Sequence, residues 1–255
     1  MDFMSKKKVA WITGGGTGIG SELCKILTSK DWNVIISGRR LNKLKEIQKF
    51  DKQKITPLKL DISSKLDCEN VKEKILKKFQ NLDLIFLNAA AYNPGHLNIE
   101  NMEIVKNVID INLIGQMNCL SAVISVFRKQ GSGHIVFVSS PAGYRGLPNA
   151  GVYGVSKSAI TFLAESLYIE MLGSNIKVQV VNPGFVKTPM TDKNKFKMPF
   201  LMSAKDAAQR IYKKLSSKDF EIYFPKRLII PMKILQILPN KIYFYIMKKI
   251  TKFSQ

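Results

Sequence analysis

Residues 13–20, with the sequence TGGGTGIG, decide the fold class of this chain. The apolar run KVAWIT leads into them and predicts a buried strand, and SELCKILTSK after them has the periodicity of a helix. Gly14, Gly18 and Gly20 let the backbone turn tightly and bring the amides of a helix N-terminus close to a pyrophosphate. A glycine pattern alone is a weak signal, but its position between a strand and a helix predicts a dinucleotide-binding loop.

The same alternation of strand and helix continues along the chain. Further apolar runs are NVIISG, ITPLKL, LDLIFLN, HIVFVSS, IKVQVVNPG and FEIYF, and helices are predicted between them, including a long one ending near Arg128. This order predicts an α/β fold with a parallel sheet buried between helices on both faces. We expect one domain over residues 1–224, followed by an amphipathic extension over residues 225–255.

The composition excludes several classes of protein. Hydrophobic residues make up 45% of the 255 residues, enough for a substantial core. Cys24, Cys68 and Cys119 have no metal-ligand spacing, so we expect reduced thiols in the cytoplasm. With His96 and His134 as the two histidines, neither a metal site nor a Ser-His-Asp triad is expected. We see no secretory leader, and no uninterrupted apolar run approaches the roughly 20 residues of a membrane-spanning helix.

The formal net charge of +21 admits several explanations. A lysine-rich surface without a partner accounts for it as well as anionic lipid, nucleic acid or a phosphorylated cofactor does. No recognition motif accompanies the charge, so we expect no nucleic-acid partner. The distribution is more informative, because residues 222–255 contain no acidic side chain.

The segment NVIISGRR, residues 33–40, ends the second predicted strand. A site that prefers NAD usually carries a carboxylate there for the ribose 2′-hydroxyl. Here Gly38 leaves room, and Arg39 and Arg40 suit a 2′-phosphate with bidentate guanidinium contact. The sequence therefore favours NADP, the alternative being that GRR merely caps an exposed turn.

Polar residues at other positions are further candidates. Asp61 is placed to accept from an adenine amino group or, equally, to cap the N-terminus of the next helix. Asn88 ends the fourth strand among small residues that suit close packing against a cofactor. Asn112 lies in an apolar helix, where a purely structural hydrogen bond explains it equally well. Ser139 and Ser140 end the fifth strand, at the edge where such sheets bind ligands.

Tyr153 and Lys157, in VYGVSK, are four residues apart, which stacks two side chains on one face of a helix. A free phenol has a pKa of about 10, and a nearby cation in a shielded site lowers it toward roughly 7, a preference of about 4 kcal/mol. The pair then acts as a general acid and base. For an isolated YxxxK pattern, coincidence on a surface helix is the more common explanation.

Together these motifs resemble the classical short-chain dehydrogenase/reductase family. The resemblance runs in register from about residue 7 to about residue 224 and is carried by TGGGTGIG, Asn88 in LNAA, Asn112 in INLIG, Ser140, Tyr153 and Lys157 in SSPAGYRGLPNAGVYGVSK, and NPGFVKT at residues 182–188. It implies a seven-stranded Rossmann-type doubly wound sheet, a homodimer or homotetramer, and hydride transfer between NADP and a carbonyl or alcohol. Two positions depart from the family pattern: Ala90 replaces a glycine, and Thr17 stands where some NADP-preferring members carry a basic residue.

The resemblance also implies a role for each site residue. Tyr153 exchanges a proton with the substrate oxygen, Lys157 lowers the phenol pKa and holds the nicotinamide ribose, and Ser140 donates to the same oxygen. Asn112 holds a water that links Lys157 to solvent, and Thr188 contacts the nicotinamide carboxamide. Besides Tyr153 and Lys157, the implied cofactor-binding residues are Gly14, Thr17, Gly18, Ile19, Gly20, Arg39, Arg40, Asp61, Asn88, Ala89, Pro183, Gly184, Val186 and Thr188.

Residues 188–204, TPMTDKNKFKMPFLMSA, stand where the family closes a loop over its substrate. Their adaptable apolar side chains predict a hydrophobic or acyl-bearing substrate, and the alternative is that they pack on their own domain. These side chains are Met190, Phe196, Met198, Phe200, Leu201 and Met202.

The extension contains apolar pieces that are each too short to span a membrane, and prolines at 231 and 239 are expected to break it. Helices with apolar faces and only cationic polar residues suit an anionic bilayer surface, which would place the protein peripherally on the inner face of a membrane. An oligomer contact or a flap over the active site is an equally supported alternative. The seven cations are Lys226, Arg227, Lys233, Lys241, Lys248, Lys249 and Lys252.

The sequence thus predicts an NADP(H)-dependent oxidoreductase that interconverts a carbonyl and a secondary alcohol. The alternative is a non-catalytic NADP-binding regulatory or interaction protein on the same fold. An intact set of Asn112, Ser140, Tyr153 and Lys157 favours the enzyme.

Overall fold

The core of the fold is one parallel sheet. The structure is a computed structural model that describes residues 7–93, 100–194 and 196–251. The sheet has the order β3-β2-β1-β4-β5-β6-β7, with every neighbouring pair parallel, so the predicted Rossmann-type doubly wound α/β fold is confirmed. Its strands are β1 (Val9–Thr13), β2 (Asn33–Gly38), β3 (Ile55–Lys59), β4 (Leu84–Leu87), β5 (Gly133–Val138), β6 (Ile176–Pro183) and β7 (Glu221–Phe224).

Helices cover both faces of the sheet. Residues of α3, α5 and α6 contribute to the hydrophobic core on one face, and residues of α1, α2 and α7 contribute to the core on the other. The helices are α1 (Gly18–Ser29), α2 (Leu41–Gln48), α3 (Lys65–Phe79), α4 (Met102–Ile109), α5 (Gly115–Gln130), α6 (Gly151–Glu170), α7 (Ala204–Leu215), α8 (Lys226–Ile237) and α9 (Asn240–Thr251).

Strand β1 is apolar from Val9 to Ile12 because all of its residues are buried. Successive side chains of a strand point to opposite faces, so Val9 and Trp11 lie in one core while Ala10 and Ile12 lie in the other. The indole Nε1 of Trp11 donates to Ser37 Oγ at 2.9 Å, which satisfies its polar atom inside the core. A central strand buried on both faces has no position left for a polar side chain that lacks a partner.

The predicted long helix before Arg128 is interrupted by a π turn. Residues Asp110–Ile114 form this turn between α4 and α5, and the sequence offered no signal for it. Among the described residues, the helical run Met102–Gln130 is long and apolar enough to cross a membrane by length and composition, but 44% of its most apolar window is buried in the protein. Val123 and Phe127 of this run belong to the core.

The extension folds into α8 and α9, and the predicted break at Pro231 is wrong. Pro231 lies inside α8, whereas Pro239 does separate the two helices. A proline inside a helix leaves the carbonyl of the residue four positions earlier without its donor. That residue is Arg227, and both residues are exposed, so solvent is available to the carbonyl that loses its donor.

Candidate active site

Hydrogen bonds from the end of β4 hold residues 13–20, the glycine-rich loop. The backbone amides of Asn88 and Ala89 donate to Thr13 Oγ1 at 3.0 and 3.1 Å, and Asn88 Nδ2 donates to the carbonyls of Thr13 and Gly14 at 3.0 and 3.1 Å. Gly14 has a φ of +67°, and a Cβ there would lie 2.9 Å from Ala89 Cα. Both the backbone conformation and the space therefore require glycine.

The N-terminus of α1 is open toward this loop. Thr17 precedes the helix in extended conformation without a side-chain capping bond, and no acidic residue occupies the first turn. The amides of the first turn, at Gly18, Ile19 and Gly20, thus lie at the positive end of the helix dipole, as an anion site requires. A Cβ at Gly18 would lie 2.9 Å from Thr188 Cγ2, so Thr188 lies directly beside the loop.

The ends of β2 and β3 place Arg39, Arg40 and Asp61. Both arginines are exposed, and no guanidinium hydrogen bond from either is found among the described residues. Asp61 accepts from the backbone amide and hydroxyl of Ser63 at 3.0 and 2.7 Å, which lowers its pKa, with a smaller contribution from Arg39. Its predicted alternative as a helix cap is wrong, because Ser64 caps α3 by accepting from the Asp67 amide.

These features form a cradle that fits a dinucleotide. Close backbone approach at Gly14 and Gly18, an uncapped helix N-terminus and two exposed guanidinium groups are the donors that a pyrophosphate and a ribose phosphate need. No group of three or more metal-ligating side chains occurs among the described residues.

Asn112 is fully buried in the π turn and joins three segments. Its Oδ1 accepts from the Ala91 amide at 2.6 Å, and its Nδ2 donates to the Ala91 carbonyl at 2.9 Å and to Ser156 Oγ at 2.9 Å. Both amide hydrogens are therefore used within the protein, which supports the structural alternative for this side chain. Ser139 is likewise structural, since its hydroxyl bonds Lys157 O at 2.8 Å.

Ser140, Tyr153 and Lys157 lie together beyond the end of β5. The hydroxyl of Ser140 lies close enough to the phenol of Tyr153 to lower its pKa. Lys157 is 1% exposed, and its Nζ lies 5.5 Å from the centroid of the Tyr153 ring and donates to the Val138 carbonyl at 2.8 Å. The predicted stacking of the two side chains on one face of α6 is what the structure has.

Burial moves the pKa values of this pair in opposite directions. It raises the pKa of Tyr153 to about 12, partly offset by the neighbouring hydroxyl of Ser140, and it lowers the pKa of Lys157 to about 7. Burial therefore acts against the expected shift of the Tyr153 pKa toward neutrality. Desolvation disfavours both charged forms, and a half-neutral amine bonded to a carbonyl supplies little field to oppose it.

Tyr92 is a site residue that sequence reasoning missed. Its ring contacts Tyr153 edge to face, with centroids 4.8 Å apart, and its hydroxyl donates to Asn194 Oδ1 at 2.7 Å. Burial raises its pKa, so it stays a donor. Its place directly after LNAAA was the available signal, because ligands meet such sheets at the carboxyl ends of the strands.

The segment after β6 carries the remaining predicted residues. Gly184 N donates to Phe224 O at 2.7 Å, and a Cβ at Gly184 would lie 2.9 Å from Leu228 Cδ2 in α8. Thr191 Oγ1 donates to the carbonyl of Val186 at 2.6 Å and accepts from the amide of Thr188 at 3.0 Å. Pro183 is the last residue of β6. The segment that follows it therefore contacts the glycine-rich loop through Thr188 and the extension through Gly184.

Part of the predicted substrate loop is exposed. Met202–Ser203 pairs with Val186–Lys187 as a short second sheet. Phe200 and Leu201 are exposed, and Phe196 is also exposed while contacting the Phe185 ring at 5.8 Å between centroids. A cleft of about 320 Å³ lies next to this loop, lined by Ala91, Tyr92, Asn93, Glu103, Ile104, Asn107, Val108 and Lys193.

The family model for short chain dehydrogenase matches residues 8–198. The chain belongs to the short-chain dehydrogenase family. It is 32% identical over 240 residues to an uncharacterized oxidoreductase of Myxococcus xanthus, an alignment that covers 92% of this chain and 94% of that protein. The family is one of oxidoreductases that bind a nicotinamide cofactor.

Solved structures of this family share the fold. A short-chain dehydrogenase/reductase of Burkholderia phymatum in complex with NAD has a TM-score of 0.82 at 20% identity, covering 91% of this chain and 94% of that one. ElxO with NADP bound has a TM-score of 0.77 at 27% identity, covering 85% and 97%. Both nicotinamide dinucleotides thus occur among proteins similar to this one.

The burial of Lys157 predicts a particular pH dependence of stability. Between pH 7 and pH 10.5 the unfolded chain keeps a proton on Lys157 that the folded chain has lost, so the free energy of unfolding rises with pH in this window. Lys157→Met removes this pH-dependent contribution. From pH 7 to pH 9 the free energy of unfolding of the wild type should therefore rise by about 2 kcal/mol relative to that of the variant, measured by urea denaturation. Exposed Lys205→Met serves as the control, and the same pH dependence in both variants would contradict the burial argument.

Proposed function

We propose that this chain is an NADP(H)-dependent oxidoreductase that interconverts a carbonyl and a secondary alcohol. The proposal is carried by the buried amine of Lys157 lying 5.5 Å from the Tyr153 ring centroid, with the glycine-rich cradle at the same edge of the sheet and Ser140 just beyond the end of β5. NADP(H), when bound, supplies or accepts the hydride. We place the protein in the cytoplasm.

The residues then divide the work of carbonyl reduction. Reduction adds a hydride to carbon and a proton to oxygen, and Tyr153 donates the proton because its raised pKa keeps the phenol protonated at neutral pH. Ser140 donates a hydrogen bond to the same oxygen as negative charge develops on it. Lys157, with a pKa of about 7, exchanges protons readily at neutral pH and can return one to the phenolate. Alcohol oxidation uses the same groups in reverse.

The proposed preference for NADP is supported by the end of β2. A Cβ at Gly38 would meet nothing within 4 Å, so this corner is open. Arg39 and Arg40 follow directly and are exposed. An open corner with two guanidinium groups suits a doubly charged 2′-phosphate better than a ribose hydroxyl.

The proposed substrate class is hydrophobic or acyl-bearing. The exposed side chains of Phe196, Phe200 and Leu201 support it, because an apolar ligand that covers them removes their surface from water. NADPH oxidation against a panel of simple ketones, 3-oxoacyl thioesters and long-chain keto lipids tests the proposal. A non-catalytic NADP-binding protein would bind NADPH and turn over none of them.

We also propose a homodimer or homotetramer. Val155, Phe162 and Ile169 of α6 follow one another at intervals of seven residues and are 57%, 73% and 66% exposed. Such a stripe on one helical face suits the same helix of a second copy. Light scattering of the full chain measures the assembly, and a mass of 28.8 kDa would contradict it.

The free face of the extension supports peripheral binding to an anionic membrane surface. Ile230, Ile234 and Ile237 form an exposed stripe on α8, and Phe244 and Tyr245 are exposed on α9. Five of the seven predicted cations are exposed on the same two helices, whereas Lys233 forms an ion pair with Glu221, and Lys252 lies outside the described residues. The exposed cations are Lys226, Arg227, Lys241, Lys248 and Lys249.

Tyr153→Phe tests the acid. Removal of the hydroxyl should lower kcat by about 10²- to 10⁴-fold because the proton donor is lost, while the dissociation constant of NADPH stays within about twofold since the ring remains. Tyr168→Phe on the same helix is the matched control and should keep full activity. Substantial turnover by Tyr153→Phe would reject the assignment.

Arg39→Ala tests the cofactor preference. Loss of one charged hydrogen bond to the 2′-phosphate should weaken NADPH binding by about 1.5 to 3 kcal/mol and barely change NADH binding. Calorimetric titration of both nucleotides measures the two losses, with exposed Arg128→Ala as the control. Equal losses for NADPH and NADH would show that the 2′-phosphate lies elsewhere.

The membrane proposal is tested by flotation with vesicles. Full-length protein should bind vesicles of phosphatidylserine and phosphatidylcholine, ignore pure phosphatidylcholine and dissociate at high salt. A variant in which Lys226, Lys241 and Lys248 are all replaced by glutamine should bind these vesicles more weakly by about 3 kcal/mol, roughly 100-fold. Neutralising Lys205, Lys213 and Lys218 removes the same charge elsewhere and should change little. Failure of the wild-type protein to float would favour the oligomer or flap alternatives.

A further inference from the structure

Three consecutive residues of the loop that joins Ser140 to Tyr153 form hydrogen bonds with segments later in the chain. We call residues 141–150 the catalytic loop. The hydroxyl of Tyr144 donates to the carboxylate of Glu221 in β7, which also accepts from Lys233 of α8. Burial and the neighbouring carboxylate raise the pKa of Tyr144, so it remains a donor. The carbonyl of Gly146 accepts from the hydroxyl of Tyr243 in α9.

Arg145, between them, caps the C-terminal end of α8. Its Nη1 donates to the carbonyls of Leu235, Gln236 and Leu238 at 2.8, 3.2 and 2.7 Å, and its Nη2 donates to Asn240 Oδ1 at 2.6 Å. The last four carbonyls of a helix have no intrahelical donor and lie at its negative end, so a guanidinium there is doubly favourable. Its Cζ also lies 3.9 Å from the centroid of the Tyr243 ring.

These contacts make the extension part of the loop's environment. Tyr243 is 2% exposed although it belongs to the last helix, and Ile229 of α8 is fully buried. The partners of the Arg145 guanidinium are carbonyls, an amide and an aromatic face, all from residues 235–243. A charged group held by so many groups of one segment transmits the position of that segment to the loop.

The loop in turn packs directly on α6, the helix that carries Tyr153 and Lys157. A Cβ at Gly143 would lie 2.7 Å from the carbonyl carbon of Lys157, so this turn has no space to shift against α6. The Ala142 amide donates to Ser140 Oγ at 3.2 Å, which links the turn to the serine as well. Movement of residues 144–146 would therefore reach the side chains of Ser140 and Tyr153.

We infer that Arg145 is a positioning residue through which the C-terminal extension holds the catalytic loop in its productive geometry. The effect on turnover rests on the proposed oxidoreductase function, whereas the mechanical coupling does not. Extension and active site form one unit, and a disturbance at residues 235–243 reaches Ser140 and Tyr153 through the guanidinium.

Hydrogen exchange of the full chain without cofactor tests the coupling independently of activity. Arg145→Met should accelerate amide exchange in residues 141–152 by about tenfold or more, because the loop loses the four guanidinium hydrogen bonds to residues 235–240 and keeps the bonds of Tyr144 to Glu221 and of Gly146 to Tyr243. Arg145→Lys, which keeps the charge but not the planar fork, should give a smaller increase. Arg210→Met, an exposed arginine of α7, should leave the loop unchanged. Wild-type exchange of the loop in Arg145→Met overturns the inference.

Kinetics then test the link to catalysis, with the best substrate of the panel. Arg145→Met should lower kcat by about 10- to 100-fold and leave the dissociation constant of NADPH within about twofold, because misplacement affects the reacting groups rather than the cradle. Tyr243→Leu should have a similar effect, and the double variant should lose no more than either single one. Additive losses, or an unchanged kcat in Arg145→Met, overturn the positioning role. If wild type reduces no substrate, the proposed function fails while the exchange result still decides the coupling.

Discussion

Hydrogen bonds between the ends of β1 and β4 support everything else at the site. Thr13 and Asn88 hydrogen-bond one another at the carboxyl ends of β1 and β4. The side-chain amide of Asn88 also donates to the Gly14 carbonyl, which holds the glycine-rich loop in its shape. The loop must approach Ala89 closely, so Gly14 has no room for a side chain. All seven strands run in parallel, which brings every polar strand end to this one edge.

Desolvation dominates the electrostatics of the catalytic pair. A phenol and an amine side by side were expected to stabilise phenolate, but burial of both groups favours the neutral phenol and the neutral amine instead. The resulting site holds its proton on Tyr153 and has a second group, Lys157, that titrates near neutrality. This arrangement suits delivery of a proton to a carbonyl oxygen, and its opposite reaction needs additional positive charge close to the phenol.

The extension has two distinct faces. Its inner face carries Ile229 and Tyr243 into the protein and holds Arg145, whereas its outer face presents isoleucines, aromatic rings and cations to solvent. Lys233 illustrates the division, because this cation, unlike those of the outer face, turns inward to Glu221.

The sequence by itself determined the fold class, the glycine-rich loop, the strand-end positions of Asn88 and Ser140, and the placement of Tyr153 and Lys157 on one face of a helix, because hydrophobic periodicity, helical spacing and glycine requirements are local properties of the chain. Tertiary structure alone decided the pKa directions at Tyr153 and Lys157, the contact of Tyr92 with Tyr153, and the π turn at Asn112. It also decided the partners of Arg145, which lie about 90 residues further along the chain. Burial and contacts between distant segments depend on how the helices pack, and no local pattern of residues records that packing.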